Sequence, residues 1–151
     1  MFASARRIIA IDIENICGKP KLAESDIARA RSVIETIAEP KGNDAVVIGT
    51  SHSNNWLAAA SAWPGALQAF QRGHNGADLA IINALAAYDY GAVSELIFFG
   101  GDGIFATTLA RVAQTGVPVH VFANAGNISQ RIYQAAGYNQ SMDITPLRVR
   151  V

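Results

Sequence analysis

Charge is scarce in this 151-residue chain. Only 16% of its residues are Asp, Glu, Lys or Arg, against about 25% in an average soluble domain. Half of the residues are hydrophobic, which excludes intrinsic disorder. Neither sign dominates: twelve basic residues meet twelve acidic ones. A general electrostatic grip on nucleic acid is therefore not predicted, and only a local basic patch is left open. Lysine is confined to Lys19, Lys21 and Lys41. Cysteine is confined to Cys17, so no internal disulfide can form, which fits a reducing cytoplasmic setting. The residue itself reads as a small buried hydrophobe rather than a reactive thiol. No apolar run approaches the ~20 residues that cross a bilayer. No apolar core with a cleavage site follows Met1–Arg7, so neither a membrane contact nor a secretory leader is expected. Repeats, low-complexity stretches and linkers are missing too, and the length suits one domain over residues 1–151. With so little charge to cover apolar surface, a homo-oligomer, most simply a dimer, is expected.

What the chain does contain is an alternation of strand-like and helix-like segments. Arg7–Ile13 is an Ile-rich run of the kind buried on both faces of a parallel sheet. It ends at Asp12-Ile13-Glu14-Asn15, and a loop with Gly18 and Pro20 is expected next. Ser25 reads as the N-cap of a helix carrying Ile27, Ala30, Ile34 and Ile37 on one face, stopped by Pro40 and Gly42. Asp44–Gly49 reads as a second strand, followed by the polar loop Thr50-Ser51-His52-Ser53-Asn54 and a short helix over Asn55–Ala62. Ala66–Gln71 is a weaker third strand. Gly76-Ala77-Asp78 opens an apolar helix through about Tyr88. Glu95–Phe99 is a fourth strand ending in Gly100-Gly101-Asp102-Gly103, and a helix follows over about Ile104–Gln114, with Gly116 beyond its end. Val117–Ala123 is a fifth strand and Ile128–Ala136 a last helix. The tail, 138–151, reads equally as a short extra strand or a loosely held end. Five strands alternating with helices predict a three-layer α/β fold with a mainly parallel five-stranded sheet.

Ligands of such folds bind beyond the carboxyl ends of the strands, where the strand order reverses. Acidic residues fall there. Asp12 and Glu14 end the first strand, Asp102 ends the fourth, and Asp78 sits in the first turn of the intervening helix. Each has an ordinary explanation: a turn cap for Asp12, the helix dipole for Asp78, a tight turn for Asp102, and an outward direction for Glu14. Together they imply convergence of two or three carboxylates, which repel unless a cation lies between them. Oxygen ligands without His or Cys point to Mg²⁺ or Mn²⁺, and so to phosphoryl chemistry. Around this edge, Arg72 is the leading phosphate-binding candidate. His52 and His74 are candidate phosphate contacts or proton carriers. Ser51 shares the loop with His52 and lacks the Asp–His set of a nucleophile triad. Arg131 is a further basic candidate. Trp56 and Trp63, seven apart, are expected on one helix face in core or subunit packing rather than base stacking.

Other motif readings fail. Gly101-Asp102-Gly103-Ile104-Phe105-Ala106 fits a dinucleotide-binding fingerprint, but it follows the fourth strand, and its Asp would oppose a pyrophosphate. Gly100-Gly101-Asp102-Gly103 also matches a motif of NAD and lipid kinases, which need a second domain. A haloacid dehalogenase-like phosphatase would need a lysine late in the chain.

Ile11-Asp12-Ile13-Glu14-Asn15, Gly76-Ala77-Asp78-Leu79-Ala80 and Gly100-Gly101-Asp102-Gly103-Ile104-Phe105 resemble, in order and spacing, the NYN domains, which are PIN-like nucleases. The resemblance runs from residue 7 to about residue 137 and includes Asn127-Ile128-Ser129-Gln130-Arg131-Ile132. It implies a sheet in order 3-2-1-4-5, an acidic cluster binding Mg²⁺ or Mn²⁺, and hydrolysis of RNA phosphodiester bonds. Carried over, Asp12, Asp78 and Asp102 are the catalytic metal ligands, with Asn15 and Glu14 in support. One departure stands out. Family members commonly carry Ser-Gly-Asp-Ser-Asp-Phe after the fourth strand, and the second Asp of that motif falls on Ile104 here. The expectation is a metal-dependent ribonuclease. The alternative is a catalytically weak or inactive domain that binds RNA or a protein partner.

Overall fold

A computed structural model describes residues 5–124, 128–132 and 142–147. Its sheet has six strands: β1 (Arg6–Asp12), β2 (Ala45–Thr50), β3 (Leu67–Phe70), β4 (Val93–Phe99), β5 (Val119–Asn124) and β6 (Met142–Leu147). Every pairing is parallel, in the order β3-β2-β1-β4-β5-β6. The expected order 3-2-1-4-5 is therefore present, and the tail adds a sixth strand beside β5. Helices α1 (Ile13–Cys17), α2 (Glu24–Ala38), α3 (Ser53–Ala62), α4 (Gly76–Ala86) and α5 (Ala106–Gln114) complete the architecture.

The alternation of side chains along each strand divides the core in two. Ile8, Ala10, Val47, Leu96, Phe98, Val119 and Val121 face α4 and α5. Ile9, Ile11, Ile48, Ile97 and Phe99 face α1, α2 and α3. Central strands covered on both sides must be apolar at nearly every position, which is why β1 and β4 read as continuous hydrophobic runs.

Three local features depart from the sequence reading. The segment after β1 is helix α1 rather than loop, ended by Gly18 in the left-handed conformation at φ 72°. The N-cap of α2 is Ala23 rather than Ser25. The cause is Asp26, whose carboxylate accepts the Ala23 N–H at 2.8 Å and pairs with Lys19 at 2.9 Å and Arg29 at 2.7 Å. Ala23 offers no side-chain acceptor, so only the return half of a capping box forms. The helix expected from Ile104 begins as a 3₁₀ turn over Gly103–Phe105. The expected last helix is described only as far as Ile132, where 130–132 are helical. Its remainder, to Ala136, lies outside the described residues.

At the amino ends of the strands the charges are closely matched. Arg7 pairs with Asp44 at 2.7 Å and Glu95 at 3.2 Å, and Glu95 in turn meets His120 at 3.2 Å. This chain of contacts runs from the start of β2 across β1 and β4 to β5. The strand order reverses between β1 and β4, so their carboxyl ends form the crevice in which ligands of doubly wound sheets bind.

Candidate functional site

Asp12 is the last residue of β1 and Asp78 lies in the first turn of α4. Two glycines let these elements approach. A Cβ at Gly49 on β2 would run into the Ile81 side chain and stand 2.9 Å from the Ala77 carbonyl, so α4 lies directly on the sheet. A Cβ at Gly100, just beyond β4, would stand 2.9 Å from the Phe98 ring and 3.2 Å from the Asp12 Cβ. Asp12 is only 4% exposed and Asp78 only 8%.

The two carboxyl groups are close enough to share a proton. Burial, and then the charge of Asp78, push Asp12 well above the ordinary carboxylate range. Burial, and then the charge of Asp102, push Asp78 upward as well, against the lowering influence of the hydrogen bond from Asp12 and, more weakly, of His74. Glu14 adds to the negative field on both. The Asn15 backbone N–H lies near Asp12 and favours its charged form, without closing a cap hydrogen bond. Among the described residues, no lysine or arginine forms an ion pair with Asp12, Asp78, Asp102 or Glu14.

Glu14 is held firmly. Its carboxylate accepts the Ser51 N–H at 3.0 Å, the Ser51 hydroxyl at 2.6 Å and the Asn55 amide at 2.8 Å. Asn55 also donates to the Pro20 carbonyl and accepts from the Leu22 N–H. Sequence reasoning missed Asn55; a buried Asn opening an otherwise Ala-rich helix is the signal that marks it. The Ser51 hydroxyl, expected to contact substrate, is committed to Glu14. Asp102 is exposed and its carboxylate accepts the Ile104 N–H at 3.1 Å, so the turn-capping explanation holds alongside its electrostatic reach to Asp78. Ile104, where the resemblance would place another acid, packs against the core beside α4 and α5.

His52, Arg72 and His74 are all exposed at this edge. Arg72 donates to the Ser53 hydroxyl at 3.1 Å, and His52 lines a cavity with Lys19, Lys21 and Asn55. Arg131 borders the Asp102 loop: its Cδ would lie 3.2 Å from a Cβ at Gly103. The two tryptophans do not share a face. Helix α3 ends at Ala62, and Trp63 follows with φ −137°, which turns it into the core at 4% exposure. Trp56 remains outside at 39%.

A hard dication suits this donor set as a pair of carboxylates completed by water. The Oδ1 of Asn15 and the Oγ1 of Thr50 are buried at the same edge without a hydrogen-bond partner. Unpartnered buried oxygens are costly unless a donor or cation answers them. Among the described residues, no three Asp, Glu, His or Cys side chains converge tightly enough to enclose an ion by themselves. Mg²⁺ commonly binds through one or two carboxylates and retains several waters, so the arrangement is compatible with it. Among the described residues no helix is long and apolar enough to cross a membrane. No protein-family model matches the chain, and no curated protein aligns with it significantly.

Proposed function

We propose that this chain is a cytoplasmic, Mg²⁺- or Mn²⁺-dependent ribonuclease of the NYN type. The observation that carries the reading is the buried pair Asp12 and Asp78 at the switch point between β1 and β4, which no lysine or arginine among the described residues answers with an ion pair. Two carboxylates enclosed together cost stability, and a fold retains such a pair when a bound cation repays the cost.

Asp12 and Asp78 would hold the ion, and Asp102 would act from the rim. The ion supplies Lewis acidity and activated water when bound. Glu14, fixed by Ser51 and Asn55, keeps the local field negative without moving. His74, beside Asp78, would contact the phosphate there. Arg72 and His52 are placed to hold the phosphate backbone. The experiment is metal titration followed by cleavage of mixed single-stranded and structured RNAs. Wild-type protein should bind Mn²⁺ and cleave, and Asp102→Asn should abolish metal-stimulated cleavage with the fold intact. Unchanged cleavage by that variant in a nuclease-free preparation refutes the assignment.

The second reading, a weak or inactive domain that binds RNA or a protein, is favoured by Ile104, which is partly buried against the core and offers no ligand. Mn²⁺ binding weaker than millimolar in the wild type, with RNA binding retained, would select it.

A further inference from the structure

Trp56, on the first turns of α3, and Phe70, at the carboxyl end of edge strand β3, face one another. Their ring centroids are 6.4 Å apart and tilted by 44°. Both are exposed, at 39% and 37%. With Leu57, Ser53 and Arg72 they line a cavity of about 350 Å³. The Arg72 guanidinium stands at this cavity, held by the Ser53 hydroxyl and by no carboxylate among the described residues. On the other side of the start of α3, Lys19, Lys21 and His52 line a second cavity of about 400 Å³.

We infer that the Trp56–Phe70 cleft is a stacking site for an unpaired base of single-stranded RNA, with Arg72 on the adjoining phosphate and the Lys19, Lys21 and His52 cavity continuing the backbone path. The inference rests on the nuclease reading, which it deepens by assigning the substrate strand. Three observations favour a nucleic acid over a second copy of the chain. The first is composition: two tilted aromatic rings with a guanidinium beside them are what sequence-tolerant single-strand binding uses. The second is polarity. Arg72 at the cleft, and Lys19 and Lys21 in the cavity beside it, put positive charge around the rings, a poor match for an apolar dimer core. The third is position. A Cβ at Gly76, the first residue of α4, would run into the Gln71 carbonyl just after β3 and stand 3.4 Å from the Ser51 Cβ, and Ser51 holds Glu14. The cleft and the acidic pair thus lie at the same end of the sheet. The remaining exposed hydrophobics of this edge, Leu67 and Leu79, belong to the other side: Leu67 alternates away from Phe70 along β3, and Leu79 lies on α4.

The test is fluorescence anisotropy with a dye-labelled single-stranded RNA of mixed sequence, in EDTA so that no cleavage occurs. Trp56→Ala and Phe70→Ala should each weaken binding about tenfold, in line with base–aromatic stacking. Trp56→Phe should restore most of it, and RNA should quench Trp56 emission. Arg72→Ala should weaken binding and lower the salt slope by about one counterion. Blunt duplex RNA of the same length should respond less to the aromatic variants. Unchanged RNA affinity in folded Trp56→Ala protein overturns the stacking site. So does conversion of a dimer to a monomer by Trp56→Ala with RNA affinity preserved, which would give the cleft to a second copy. Asp12→Asn separates the two proposals. Loss of cleavage there with RNA binding intact supports both, whereas Trp56-dependent binding by a wild type that never cleaves with Mn²⁺ leaves the cleft standing and removes the nuclease.

Discussion

Replacing Asp12 by Asn should stabilise the metal-free protein at neutral pH. In the folded state Asp12 resists ionisation through burial and the charge of Asp78, and Asp78 through burial and the charge of Asp102, while the hydrogen bond from Asp12 favours the ionised form of Asp78. In the unfolded chain both groups ionise freely. A carboxyl whose folded pKa is raised contributes fully below the unfolded value, and that contribution disappears as the pH rises through the folded value. At neutral pH the wild type therefore either keeps a proton the unfolded chain would release, or buries two charges. Each unit of displacement corresponds to about 1.4 kcal/mol. For a domain of this size that moves the midpoint by roughly 3–6 °C, since 1 kcal/mol is worth about 2–4 °C. Asn keeps the size and polarity of the side chain and removes the charge. Thermal unfolding in EDTA should show a higher midpoint for Asp12→Asn at pH 7.5, and the difference should vanish near pH 4. Adding Mn²⁺ should reverse the order, because ligand binding stabilises only the protein that binds it, by about 2.7 kcal/mol at a hundredfold excess over Kd. A variant no more stable than wild type at pH 7.5, or equally stabilised by Mn²⁺, refutes the reasoning.

The other carboxylates give further expectations. Asp44 is raised by burial, but the hydrogen bond from Arg7, the Lys41 N–H and the nearby cations outweigh this and leave it below its ordinary range. A lowered carboxyl contributes above its unfolded pKa and loses that contribution as the pH falls through the folded value. Asp44→Asn should therefore lower stability at neutral pH and flatten the acid limb below about pH 4, so that variant and wild type converge in acid; urea unfolding across pH 2.5–8, on the order of ten points, checks it. Glu14→Ala strips the acceptor from Ser51 and from buried Asn55. Unsatisfied buried donors cost about 1–3 kcal/mol each, so urea unfolding should show a loss of about 2–4 kcal/mol; a change within the ~0.5 kcal/mol typical of neutral surface substitutions would show that the tie carries no structural weight.

The central strands were legible because burial on both faces leaves no room for polar residues: Ile8–Ile11 and Leu96–Phe99 could scarcely be anything else. Helix α1 was hidden for the same reason. Ile13, Ile16 and Cys17 are spaced for a helix, but five residues directly after an Ile-rich strand read as its continuation. The cap of α2 escaped because the acceptor is Asp26, reaching back from inside the helix, rather than a residue at the boundary. At the site, Asp12 and Asp78 were found from their places at element ends, and the structure brings those two together. What could not be read was commitment. Nothing in the residue type of Ser51 says that its hydroxyl belongs to Glu14, and nothing in Asn55 announces three hydrogen bonds. The expectation that Trp56 and Trp63 share a helix face fails because a helix ending at Ala62 removes Trp63 from the seven-residue periodicity that relates them, while the expected core packing holds for Trp63.

The matched chain of Arg7, Asp44, Glu95 and His120 gives the molecule a polarity that its formal neutrality conceals. One pole of the sheet is electrically quiet. The other gathers buried acids and sets solvent-facing cations around them. A polyanion approaching from solution would feel the cationic rim before the acids, and a small dication would feel the acids most. Two species that attract each other would then be sorted to adjoining berths by a protein whose total charge favours neither.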